Sequence, residues 1–244
     1  MRALIATVLC LILFHGVAGA AGDIRREEVR FRKGASGTTI TGKIKGRHSV
    51  DYRVQARAGQ ALTVTFKPSS LSAYFNILPP GSGDVAMFVG STSGNHFENI
   101  LPSDGIYTIR VYLMRSAARR NESSTYTLAV SVKGKPLEPT PASLDATKPG
   151  THYHASTSIA CVPPYESAAR TCEAFVIRRG FGGTATVEIR LAAGYKRNIL
   201  FVAGKPVASD SQTAMTFTRK DDVTFITFDS GERYEIPDAL VSGG

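Results

Sequence analysis

Between Leu101 and Val132 apolar residues twice fall on alternate positions. Tyr107, Ile109, Val111 and Leu113 form the first run, and Tyr126, Leu128, Val130 and Val132 the second. A period of two predicts strands that each bury one face. The polar stretch between them carries Arg115, Arg119 and Arg120, followed by Asn121 and Glu122. Its plainest role is a solvated hairpin connection whose charge keeps a sheet edge soluble. Its sharper role is to hold fixed positive charge on a short loop, where an acidic cleft of another molecule would meet it.

The same alternation recurs upstream. Thr38–Ile44, Val50–Ala56, Leu62–Phe66 and Tyr74–Leu78 read as strands. Lys45–Gly46, Ala58–Gln60, Pro79–Gly83 and Pro102–Gly105 punctuate them as turns. Residues 21–30 are highly charged and predict a frayed segment. No stretch has helical periodicity. Short strands at regular spacing predict an antiparallel β-sandwich over residues 21–133. Residues 134–150 contain Pro136, Pro139, Pro141 and Pro149 without a periodic face, which predicts a semi-extended linker. Residues 151–244 show strand patterns at Cys172–Arg178, Thr184–Leu191, Asn198–Val202, Ala214–Thr218 and Val223–Phe228. They predict a second small β-sandwich or barrel, so the whole chain is expected to be all-β.

Residues 1–20 alter the picture of where the chain works. Arg2 precedes an apolar run from Leu4 to Phe14, and Ala18 to Ala20 form an A-x-A site. This pattern predicts a secretory signal peptide and a periplasmic or secreted protein, with no membrane insertion. Removing it takes away Cys10 and leaves Cys161 and Cys172, expected to form one disulfide.

The 244-residue chain has 29 Lys and Arg against 20 Asp and Glu, a formal charge of +9. Its Tyr residues sit in strand patterns, and together with the export signal this argues against a nucleic-acid partner. Anionic envelope components or an acidic protein cleft suit the charge better. Enzyme signatures are missing: there is no nucleophile elbow, no H-E-x-x-H and no phosphate-binding glycine loop. His152 and His154 would face the same side of a strand, but zinc needs further ligands and none is evident. Nothing in the pattern sets Asp51, Glu98, Asp221 or Asp222 across a cleft as paired carboxylates. No enzyme activity, metal or cofactor is expected.

Residues from Phe31 to Lys133 resemble the bacterial periplasmic inhibitors of g-type (goose-type) lysozyme. The resemblance is carried by Phe31 to Gly34, Gly42 to Gly46, Tyr52, Ala58 to Gln60, Leu101–Pro102, Gly105 to Tyr107, Arg110–Val111, Arg115 to Asn121 and Tyr126. It implies a β-sandwich whose loops block the lysozyme's substrate cleft, with Arg115 and Arg119 as the inhibitory side chains. A muramidase cleft carries a catalytic carboxylic acid, and a guanidinium offers that group a planar fork of donors. Arg47, Asp51 and Tyr112 are expected as neighbouring contacts, although Arg47 stands where an aromatic would fit the family. The expected partner is a g-type lysozyme. The alternative is a cell-envelope module that binds a glycan or protein without inhibiting anything.

Overall fold

The computed structural model describes residues 24–191 and 194–243. The expected signal peptide lies outside them. Nine strands are described in the N-terminal half: β1 (Ile24–Glu28), β2 (Gly37–Lys45), β3 (Ser49–Ala56), β4 (Ala61–Pro68), β5 (Ala73–Leu78), β6 (Phe88–Val89), β7 (His96–Ile100), β8 (Gly105–Leu113) and β9 (Ser123–Lys133). Two single turns of helix interrupt them, α1 (Gly90–Ser93) and α2 (Arg115–Arg119). One sheet runs β1-β3-β8-β5-β6 and the other β2-β9-β4-β7. The pairing is antiparallel except for β1, which lies parallel to β3 with Arg26 opposite Asp51.

Alternation explains the packing. Tyr107, Ile109, Val111 and Leu113 of β8 are buried on the inner face, and Tyr126, Leu128, Val130 and Val132 of β9 face them from the other sheet. Each such side chain contributes about 1.5–3 kcal/mol of burial free energy. Tyr52 on β3 and Tyr126 on β9 join the sheets through their hydroxyls at 2.8 Å. Both phenols are held above their ordinary pKa, chiefly by burial. The Tyr126 ring presses on β2 at Gly42, where a Cβ would lie 2.5 Å from its Cζ. Only glycine fits that crossing.

The charged N-terminal segment is not frayed as the sequence suggests. Ile24–Glu28 forms β1 because its backbone pairs along β3 and Glu28 accepts from Arg53 at 2.8 Å. Neither contact needs an apolar face, so alternation cannot report it.

The C-terminal half has eight described strands: β10 (Ala155–Val162), β11 (Arg170–Arg178), β12 (Ala185–Arg190), β13 (Lys196–Val202), β14 (Lys205–Ser209), β15 (Met215–Lys220), β16 (Val223–Phe228) and β17 (Arg233–Pro237), followed by α3 (Asp238–Ser242). They form one antiparallel sheet ordered β14-β13-β12-β11-β10-β17-β16-β15. It curls until its edges approach, and Arg219 of β15 donates to Gly204 O beside β14 at 3.3 Å. The result is a nearly closed barrel around Val187, Ile189, Ile199, Phe201 and Ile236. The disulfide Cys161–Cys172 joins β10 to β11 across 11 positions of chain. No described helix is long and apolar enough to cross a membrane.

The two halves are fastened where β3 ends and β8 begins. Leu137 packs with Ala58, Leu200 and Ala208, and its N–H donates to Ala58 O at 2.9 Å. Gly59 permits this seat: its φ is +82° and a Cβ there would lie 2.6 Å from Leu137 Cγ. The side chain of Arg179 is fully buried, donates to Leu137 O at 2.6 Å and pairs with Asp104 at 3.0 Å. Thr186 donates to Pro102 O at 2.7 Å. The proline-rich stretch is therefore pinned at Leu137 and Thr140 rather than free along its whole length.

Candidate functional site

The connection from β8 to β9 is a helical turn, not an open loop. Met114 enters it in an extended conformation, and Ala118 N–H returns to Met114 O at 2.9 Å. Ala117 is fully buried and anchors the turn to the sandwich core. Asn121, at φ +57°, ends it in a left-handed conformation that asparagine tolerates better than most residues. The backbone N–H groups of Asn121 and Glu122 return to Ala118 O and Ala117 O, so the end is satisfied. Five residues are too short to show a period, which is why the sequence reads as a loop.

This geometry organises the arginines. Arg115 and Arg119 are four residues apart, so they lie on one face of the turn. The β2–β3 loop is drawn against them: Gly46 N–H donates to Glu122 O at 2.8 Å, and Asn121 Oδ1 lies 2.6 Å from where a Gly46 Cβ would sit. Gly46 has φ +58° and is buried, which leaves Arg47 and His48 projecting beside α2. Arg47, Tyr112, Arg115 and Arg119 line one recess of about 520 Å³, together with His48 and Ala118. Tyr112 is held on the sheet face by donating to Asn76 Oδ1 at 3.1 Å.

The arginines differ in their charge pairing, and at this end Arg120 is held by Glu122 at 2.7 Å. Arg53, Arg110, Arg178, Arg179 and Arg197 all have carboxylate partners. Among the described residues, Arg47, Arg115 and Arg119 have none within ion-pair distance. Three exposed guanidinium groups around one recess repel one another weakly and wait on an acceptor from outside.

Asp51 is placed differently from the expectation. It is 4% exposed, and both carboxylate oxygens accept from Arg110, at 2.7 and 2.9 Å. The two residues face each other across β3 and β8. This hydrogen bonding also holds the Arg110 pKa above its ordinary value. Asp51 therefore braces β3 against β8 and presents no free carboxylate. Sequence reasoning also missed Leu71, which is 92% exposed, and Met114, which is 40% exposed. The Met114 N–H donates to Ser72 O at 2.8 Å, which ties the start of the turn to the β4–β5 connection. An isolated Leu in a serine-rich turn carries no periodic signal.

His152 and His154 do not form a pair of ligands. His154 is buried, with Nε2 2.9 Å from Thr140 O and Nδ1 accepting from Arg178 N–H. Among the described residues no three His, Cys, Asp or Glu side chains come together as a metal site.

No family model matches the chain. A curated protein, the inhibitor of g-type lysozyme from Escherichia coli K12, is 31% identical over 129 residues, covering 52% of this chain and 93% of that protein. A solved periplasmic inhibitor of g-type lysozyme from Aeromonas hydrophila is 34% identical, covers 46% of this chain and all of its own, and superposes with a TM-score of 0.44. Its counterpart from Salmonella Typhimurium is 29% identical over 45% of this chain and 98% of its own, with a TM-score of 0.36. The sequence relationship to the curated protein carries the assignment.

Proposed function

We propose that this chain, which belongs to the family of inhibitors of g-type lysozyme, blocks the substrate cleft of such an enzyme with the α2 end of its N-terminal sandwich. The observation that carries the reading is the single recess shared by Arg47, Tyr112, Arg115 and Arg119, with its arginines unpaired among the described residues. Arg115 and Arg119 enter the cleft. Their forked donors take up the carboxylic acid on which a muramidase depends and a neighbouring carbonyl. Arg47 and Tyr112 form the wall beside them, and Asp51 acts through Arg110 by keeping β3 and β8 in register. The buried Ala117 anchor and the closed hydrogen bonds of the turn support the reading further. A preorganised loop loses little conformational entropy on binding.

The chain acts as a binding protein in the periplasm and not as an enzyme, and its partner is the lysozyme. Gel filtration of the mature protein with a g-type lysozyme tests this. Wild type should co-elute with the enzyme as one complex. A folded double variant, Arg115→Glu with Arg119→Glu, should elute apart from it. Co-elution of that variant would remove the arginines from the interface.

A further inference from the structure

The halves meet at the end of the sandwich remote from α2. β8 separates the two ends, and its nine residues span about 30 Å. The Pro79–Val89 segment faces the curled C-terminal sheet, and a cleft of about 650 Å³ opens between them, its wall running back along β5 to Asn76. A smaller recess of about 250 Å³ continues it, sharing Asp84, Tyr195 and Arg197.

Three features define the chemistry of this cleft. First, most of its charges are already paired, Asp84 having only a 3.7 Å approach to Arg110. Arg197 is held by Asp210 and Glu232 at 2.8 and 2.7 Å, Arg170 by Glu166 at 3.0 Å, and Lys196 by Glu188 at 3.1 Å. Such a cleft has little to gain from an ionic ligand. Second, neutral hydroxyls and amides line it. Ser211, Thr213 and Ser230 form a chain of hydroxyl contacts at 3.1 and 3.4 Å, and Gln212 spans the halves by donating to Ala86 O at 2.8 Å. Third, two tyrosine rings stand at its walls. Tyr165 is 98% exposed and Tyr195 52% exposed. Tyr165 also holds φ +64°, an unfavourable conformation for a bulky residue, so its ring is displayed at a cost in backbone energy.

We infer that this junction cleft binds a neutral oligosaccharide, with Tyr165 and Tyr195 as stacking platforms for sugar rings and the serine, threonine and glutamine side chains as partners for its hydroxyls. Aromatic faces with convergent neutral polar groups suit a ligand that is apolar on its ring faces and hydroxylated around its edge. The rigid Arg197–Asp210–Glu232 floor keeps the two walls at a fixed separation. None of Arg47, Arg115 and Arg119 lines the cleft, although its wall residue Asn76 accepts a hydrogen bond from Tyr112 of the arginine recess at 3.1 Å. The inference stands apart from the inhibitory reading, since it uses none of the same residues.

Calorimetric titration of the mature protein with chitotetraose and with cellotetraose tests it. Saturable heat at one site is expected with at least one of the two. Tyr195→Ala should weaken it roughly tenfold, the effect of losing one aromatic contact. Tyr165→Ala serves as the second variant, and unchanged melting temperatures establish that both are folded. Arg119→Ala should bind the sugar as wild type does, which separates failure of this inference from failure of the inhibitory one. No heat from either sugar at millimolar concentration, or binding that survives both tyrosine variants, overturns the proposal.

Discussion

Replacing Arg119 by alanine separates a contact residue from a structural one. The side chain is exposed and, among the described residues, pairs with no carboxylate, so the fold loses nothing electrostatic. Alanine is also the better helix former. The melting temperature should therefore stay within about 2 °C of wild type, given that surface changes shift stability by at most about 0.5 kcal/mol. Binding is another matter. Inside a lysozyme cleft the guanidinium would be desolvated against a carboxylic acid, and truncating one partner of such a pair costs about 2–5 kcal/mol. That corresponds to roughly a 30- to 5,000-fold rise in the inhibition constant. Arg119→Lys keeps the charge but not the fork, and should fall between the two. Inhibition constants come from the initial rate of cell-wall lysis at several inhibitor concentrations, with melting followed by circular dichroism. Full inhibition by Arg119→Ala would refute the role assigned to this residue. A matching loss of stability would make it a structural arginine.

Further expectations concern the scaffold. Gly42→Ala drives a methyl into the Tyr126 ring and should cost about 1–3 kcal/mol in chemical denaturation. Asp51→Ala leaves Arg110, partly buried, with only the exposed Asp84 at 3.7 Å; it should cost about 2–3 kcal/mol, less than a fully buried pair because Arg110 keeps 23% of its side-chain exposure. Weaker inhibition by Asp51→Ala, measured where the variant is fully folded, should then be modest. Reducing Cys161–Cys172 should destabilise the C-terminal sheet by about 3 kcal/mol, while lysozyme inhibition persists.

The strands that bury one face were legible from alternation alone. β8 and β9 are where the pattern puts them, and the turns at Gly46 and Gly59 fall on glycines whose positive φ the backbone requires. What escaped was held by forces that leave no periodic mark. β1 is a charged edge kept in place by backbone pairing to β3. α2 has a single buried anchor, Ala117, in five residues. β10 opens with Ala155, Ser156, Thr157 and Ser158, and besides its hairpin partner β11 it pairs with β17, some seventy positions away. At the site, the residue types were readable but not their surroundings. Nothing in the spacing of Asp51 and Arg110 shows that they lie opposite each other on neighbouring strands and neutralise one another. Nor does a lone Leu71 announce itself as part of a surface.

The central claim is best tested with the chain from Ala21 onward, titrated into a g-type lysozyme lysing cell walls, with a c-type lysozyme in parallel. Selective and near-stoichiometric inhibition of the g-type enzyme is the predicted result. Undiminished lysis by both enzymes, in the presence of protein shown to be folded, would contradict the account.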